Sequence, residues 1–337
     1  MTGPAVAGPS IFGDVMASFD FSLVSAPFRM QPGLRRVAPG ATQLTASAPG
    51  ARHLREKIAV LGSFADQALL STPAVDEPAL LRALADEAAR TSPGIFVVTT
   101  APGGTTRMQA PRLGWTLDAA STPVGDGDAS IGAVLAALPV ARRPSALLSL
   151  AFEEDFALID GTNATIPWLA VCLPSRWAPE EKIGRHFAEV HAPVADNETL
   201  IAASTSLARL VTGNDRWERF VWTISADPRL HQHPARGGAR WPPASEADAE
   251  TVVARAFFRS ERQTFIPIPG SGQAVFTIHV DSAPLAEAVT STDGARRVHD
   301  AIASMSPAVL EYRRLDGVRD RLLAWLASRV GPEPTRR

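Results

Sequence analysis

The sequence predicts an α+β protein built around an antiparallel sheet, on three observations. Phe257–Ile268 and Gln273–Val280 are runs rich in aromatic and β-branched residues, separated only by Pro269-Gly270-Ser271-Gly272, whose glycines supply the positive φ that tight hairpin loops need. Phe156–Ile159 and Pro167–Leu173 flank Asp160-Gly161-Thr162-Asn163, a second hairpin signal. Between the hairpins lies a helical stretch followed by a short strand, Phe220–Ser225.

Composition bounds the class. The chain has 337 residues, 45% apolar and 20% charged, enough for one large or two modest globular domains. The formal net charge of -2 and the lack of basic runs interleaved with aromatics argue against nucleic acid as a partner. A single cysteine, Cys172, excludes an internal disulfide framework, a self-contained iron–sulfur cluster and a cysteine-rich zinc site. No stretch is long and apolar enough to cross a membrane, and the opening MTGPAVAGPS does not read as a secretory signal. A cytoplasmic location is the expectation.

Taken in order, residues 1–20 are rich in Gly, Pro and Ala and are expected to be disordered, and residues 21–50 to wrap a surface in extended form. His53–Leu61 reads as a short helix. Asp76 caps a stronger one, with Pro78 in its first turn and Leu80, Leu81, Leu84 and Ala88 on its apolar face. Ile95–Thr99 reads as a strand, and residues 121–128 as a turn-rich linker. After the 156–173 hairpin, Pro179, Glu180 and Glu181 suit a helix first turn, Ile183, Phe187 and Val190 form its stripe, and Pro193 stops it. Glu198–Val211 reads as another helix and roughly 308–330 as an amphipathic tail helix. Hairpin, helices and three-stranded meander is the layout of a PAS-like domain, in which a five-stranded antiparallel sheet and a helical segment enclose one small-molecule pocket. The expected organisation is therefore a wrapping, partly helical region at 21–150, a PAS-like core at 151–282 and C-terminal helices at 283–330.

Candidate chemistry concentrates in two places. The strand Phe257–Ile268 carries five polar residues, Ser260-Glu261-Arg262-Gln263-Thr264; alternation sends Glu261 and Gln263 to one face and Arg262 and Thr264 to the other. These make either an edge strand with a solvated ion pair or a charged pair at a pocket, where burial demands a specific partner. His191 ends a helix beside an apolar stripe, with small residues Gly184 and Ala188 that would let a flat cofactor lie close. Neutral imidazole is a common axial ligand of heme iron, though a histidine there also meets the helix C-terminal dipole. Periodicity does not separate His191 from His186. His231 and His233 make an incomplete metal pair in a loop read as exposed, and His53, His279 and His299 have no company that suggests a role. Trp168 and Trp222 are either cavity walls or ordinary core. No G-x-S-x-G elbow occurs, APGGTT at 101–106 lacks the end of a phosphate loop, and GDGDASIG at 125–132 has the wrong spacing for dinucleotide binding.

The string RSERQTFIPIPGSGQAVFTI at 259–278 resembles the hallmark of the heme-dependent oxidative N-demethylase family. Glu154-Asp155-Phe156, CLPSRW at 172–177, EKIG at 181–184 and VHAPV at 190–194 match in order, as do Arg216-Trp217 with Phe220 and Trp222, Phe28-Arg29-Met30 with Gly33-Leu34, and Lys57. Ala195, and His279-Val280-Asp281, depart from the pattern. The resemblance implies a PAS-like fold around a heme b pocket and oxidation of a small secondary amine by O2 to formaldehyde and the shorter amine. Electrons would come from NADPH through separate reductase subunits carrying FMN and an iron–sulfur (2Fe–2S) cluster. It maps the proximal ligand to His191; on that reading Gly184, Trp222 and Arg262 are the candidates to lie beside the cofactor. Arg262 would contact bound oxygen or a propionate, and Glu261 would handle substrate or protons. Since Glu261 and Arg262 alternate, at most one is expected to face the pocket. A heme gas or redox sensor and a heme-free small-molecule binder are the competing classes.

Overall fold

The structure, a computed structural model, describes residues 19–102, 104–243 and 247–330. The expected disorder of residues 1–20 therefore falls almost wholly outside the described residues. The strands are β1 (Arg35–Arg36), β2 (Leu69–Ser71), β3 (Val97–Thr100), β4 (Thr106–Ala110), β5 (Trp115–Leu117), β6 (Pro123–Gly125), β7 (Asp155–Asp160), β8 (Thr165–Ala170), β9 (Trp217–Ser225), β10 (Phe257–Ile268) and β11 (Gln273–Pro284). They form two antiparallel sheets, one of seven strands in the order β1-β9-β10-β11-β7-β8-β2 and one of four in the order β3-β4-β5-β6.

All five strands expected in the core lie side by side in the larger sheet. The expectation of five strands is corrected to seven, because two N-terminal segments add themselves to its edges: Arg35 and Arg36 pair with Glu218 and Trp217, and Leu69–Ser71 with Trp168–Ala170. The central hairpin has its turn where expected, with Gly270 at φ 74° and Gly272 at φ 68°. Its register runs from Phe257 opposite Pro284 to Ile268 opposite Gln273, so β11 is four residues longer than the sequence pattern indicates.

The helical expectations need three corrections. The helix expected from Pro179 is broken: a 3-10 turn at Pro179–Glu181 is followed by Gly184 at φ 70° and a separate helix, Phe187–His191. The cause is long-range. Gly184 N–H donates to the Ile166 carbonyl and Ile166 N–H to the Arg185 carbonyl, so the chain pairs with the free side of β8 instead of continuing its helix. Glu198–Val211 is two helices, Glu198–Ala202 and Ser204–Val211, and the tail is Pro307–Tyr312 and Arg319–Val330 with left-handed Arg314 between them. Conversely, the first helix extends over Arg52–Ala68, and Asp76 caps Glu77–Thr91 by accepting from Ala79 N–H at 3.0 Å. The N-terminal region also holds the unforeseen four-stranded sheet. In it the supposed linker supplies β6 and, through Asp128, the cap of the helix Ala129–Ala137.

The larger sheet is packed on both faces. On one, Ala157, Ile159, Ile166, Leu169 and Phe265 meet Ala208 and Val211, with Ile183, Phe187 and Val190 against them. On the other, the N-terminal helices cover Phe156, Leu158 and Trp168, while the C-terminal helices cover Trp222, Ile224 and Phe258. Residues 21–50 tie these layers together. Gln43 Nε2 donates to Thr264 Oγ1 at 2.9 Å, and Thr45 N–H donates to the Glu154 carboxylate at 2.9–3.0 Å. No helix among the described residues is long and apolar enough to cross a membrane.

Candidate active site

The register of the sheet decides which polar side chains share a face. Glu261 lies opposite Val221 and Val280, and Gln263 opposite Arg219 and Ile278; Arg262 lies opposite Phe220 and His279. Residues directly opposite point the same way. Arg219, Glu261, Gln263 and Phe265 therefore belong to the face covered by the 183–211 helices, while Glu218, Arg262 and Thr264 belong to the other.

Glu261 is 8% exposed. Ser175 Oγ–H donates to its Oε1, and Gln263 Nε2–H donates to Oε2 at 2.6 Å. Arg259, 1% exposed, donates Nε–H to Ser175 at 2.8 Å and its other N–H groups to the Leu173, Arg229 and Leu230 carbonyls. Burial, opposed by the nearby Glu261 charge, lowers the Arg259 guanidinium to about 10. Arg219 sits on the same face. Burial lowers its proton affinity against the pull of Glu261, and its Nε finds no hydrogen-bond acceptor among the described residues. One carboxylate thus faces one buried and one half-buried guanidinium group, a local surplus of positive charge.

His191 lies on the helix that covers this face. Its Nδ1 stands 2.8 Å from the Phe187 carbonyl. A carbonyl only accepts, so Nδ1 carries the proton and Nε2 keeps its lone pair, with no hydrogen-bond partner among the described residues. Its ring packs on Phe187 with centroids 4.2 Å apart. Burial lowers its pKa, helped by the Arg219 and Lys182 charges and opposed by the Phe187 carbonyl, so the ring is neutral at pH 7. His186 is arranged oppositely: it caps the same helix, its Nδ1 accepting from Ala188 N–H at 3.1 Å. In the neutral ring the proton is then on Nε2 and the lone pair is already used.

Of the residues singled out from sequence, the structure brings Glu261 to the His191 side and puts Arg262 and Trp222 on the other. Arg262 is on the opposite face, held by Glu218 at 2.9 Å and donating to the Thr42 carbonyl at 2.8 Å. Trp222 is core: it stacks on Phe258 at 5.9 Å, meets Phe28 edge-on at 6.1 Å and has Arg313 over its face at 5.6 Å. Gly184 serves the chain reversal, with Thr72 as its neighbour. His231 and His233 are not the exposed pair expected. His231 Nδ1–H donates to the Cys172 carbonyl at 2.6 Å, and buried His233 contacts Glu180 at 3.0 Å. Arg219 and Arg259 were missed; Arg219 adjoins Glu218 and Arg259 leads into the polar run 260–264, so along the chain each reads as one more charge of a solvated stretch. A cleft of about 340 Å³ between residues 61–66 and 134–142 is lined by no histidine.

Cys172 takes no part in this chemistry. It is fully buried, and burial with the nearby Asp155 charge pushes its thiol up to about 12. A thiol-specific reagent should label none of the native protein at pH 8 and one equivalent after denaturation; rapid native labelling would contradict this packing.

A family model described as haem-dependent oxidative N-demethylase, alpha subunit-like, matches residues 76–323. The match takes in the four-stranded sheet, the five central strands of the larger one, the 183–211 helices and every residue of the site just described. The protein belongs to this family, whose description is that of an oxidoreductase dependent on heme.

Proposed function

We propose that the protein is the heme-bearing component of an oxidative N-demethylase acting on a small secondary amine. The observation that carries this is the state of His191: a neutral ring whose Nδ1–H is anchored on a backbone carbonyl, leaving the Nε2 lone pair for iron. Histidine ligands generally have their second nitrogen fixed in this way. The donor set fits heme in a second respect. Arg219, half-buried with a buried, unpaired Nε on the same side of the sheet, suits a heme carboxylate, and an anion there would offset the surplus positive charge. The order of the five central strands, β8-β7-β11-β10-β9, is that of a PAS-like sheet and supports the reading of a PAS-like pocket under the 183–211 helices.

Heme, when bound, supplies the redox chemistry by which O2 is used. The overall reaction balances as secondary methylamine, O2, two electrons and two protons going to the shorter amine, formaldehyde and water. By the family resemblance the electrons come from NADPH through partner subunits carrying FMN and a 2Fe–2S cluster, which agrees with a sequence that has one cysteine and no dinucleotide motif. The protein side of the work falls to Glu261. Its carboxylate is held by Ser175 and Gln263, and it is the anion able to receive a protonated amine on this face. Arg262 takes no direct part in this scheme; through Glu218 it steadies β9 beside Arg219.

The test is reconstitution with hemin, followed by turnover with a ferredoxin-type reductase and NADPH. Expected are one heme per chain and formaldehyde formed in step with NADPH use when a dimethyl-substituted amine is present. Stoichiometric heme without amine-dependent formaldehyde across a panel of small amines would favour a sensor instead. Absence of heme uptake would overturn both readings.

A further inference from the structure

We propose that His53, His279 and Asp281 bind one divalent cation of the zinc or ferrous type, at a site separate from His191 and independent of the reaction above. His279 and Asp281 lie on β11, on the face that carries Arg262, and His53 is in the first turn of the helix Arg52–Ala68 packed against it. Each of the three offers a ligand atom, and these atoms lie within 4.8 Å of one another. Ligands about 2.1 Å from one ion stand roughly 3–4 Å apart, so closing on a cation needs a shift of under about 1 Å.

The ring tautomers are set by groups outside the triad. His53 Nε2 is 2.7 Å from the Val280 carbonyl, so Nε2 carries the proton and Nδ1 is the free donor. That Nδ1 lies 3.7 Å from Glu153 Oε2, hence on the side of the cluster. His279 Nε2 lies 2.9 Å from the same Glu153 oxygen, while its Nδ1 is 3.4 Å from Asp281 Oδ2. With Nε2–H given to Glu153, Nδ1 becomes the ligand beside Asp281. Both histidines then have the outer acceptor that metal-bound histidines characteristically show, one a backbone carbonyl and one a carboxylate.

Charge points the same way. Glu153 and Asp281 bring two negative charges into a partly buried cluster. The nearby Arg52 is engaged by Glu56 and by the carbonyls of Ser282 and Pro228. Two imidazoles and one carboxylate, with positions left for water, suit Zn2+ or Fe2+ and not the all-oxygen shells of Mg2+ or Ca2+.

The experiment titrates the chelator-stripped full-length protein with Co2+, follows visible ligand-field absorption, and then adds Zn2+ as competitor. Expected is one equivalent of Co2+ with a low-coordinate spectrum, displaced by Zn2+. Affinity should fall at least about tenfold in Asp281→Asn and in His279→Gln, with circular dichroism unchanged, and should persist in His191→Ala. No stoichiometric binding by the wild type would overturn the proposal. So would binding unaltered in both cluster variants, or binding lost only with His191.

Discussion

His191→Ala is expected to abolish stoichiometric hemin uptake, while His186→Ala retains it. The two histidines sit five residues apart around one short helix, and their hydrogen bonds set them in opposite roles. His191 donates from Nδ1 to the Phe187 carbonyl and leaves Nε2 open. His186 spends its Nδ1 lone pair on the Ala188 N–H, and its backbone bridges to Thr165. Recruiting His186 as a ligand would forfeit a helix cap worth about 1 kcal/mol. The lowered pKa of His191 adds a pH dependence. Its folded-state value lies below the ordinary 6.5, so the neutral ring's contribution is complete above 6.5. Below that pH the unfolded chain binds more protons, and stability falls together with heme retention. The readout is the Soret band at fixed heme, in both variants and across pH 5 to 8. An unaltered spectrum in His191→Ala, or its loss only in His186→Ala, would refute the assignment.

Lys57→Met should destabilise the fold by roughly 3–5 kcal/mol. Lys57 is fully buried, and its ammonium donates to the Ser149, Phe152 and Glu154 carbonyls. Asp155 Oδ1 lies 3.4 Å away, and Asp155 Oδ2 accepts the Leu173 N–H at 2.6 Å. Methionine fills the space but strands a carboxylate and three carbonyls in the interior. The lysine that matched the family pattern therefore reads as a structural peg, fixing the Arg52–Ala68 helix to the start of β7. Urea denaturation of Lys57→Met should show the loss, and adding Asp155→Leu should recover part of it. A shift below about 1 kcal/mol would mean that the pair is dispensable.

How much of this was legible in the sequence varied with the range of the interaction. The β10–β11 hairpin was, because alternation, β-branching and a Pro-Gly-Ser-Gly turn are local signals that agree. The division of Glu261 and Arg262 between faces followed from the two-residue period, and the register bears it out. The break at Gly184 was not legible: Ile183, Phe187 and Val190 keep helical spacing, and the interruption comes from pairing with Ile166. Of the β3–β6 sheet only β3 was anticipated, at Ile95–Thr99; the other strands are three to five residues long, too short for a period to show. His53 and His279 look unaccompanied along the chain, and only the docking of a helix on β11 makes them neighbours, with rings stacked at 5.1 Å. Helical periodicity left His191 and His186 equivalent and the family resemblance pointed to His191; what the sequence did not show is that their ring nitrogens are hydrogen-bonded in opposite senses.

The two outermost strands of the large sheet both come from the first 71 residues. β1 closes part of the β9 edge, and β2 together with residues 184–186 closes the β8 edge. A fragment cut to the five central strands would present bare hydrogen-bonding edges on two sides, each a template for joining another copy. In a growing chain β1 and β2 are synthesised before the strands they cover, whereas residues 184–186 follow β8 directly. A chain made in this order carries two of its three edge covers before β8 and β9 exist.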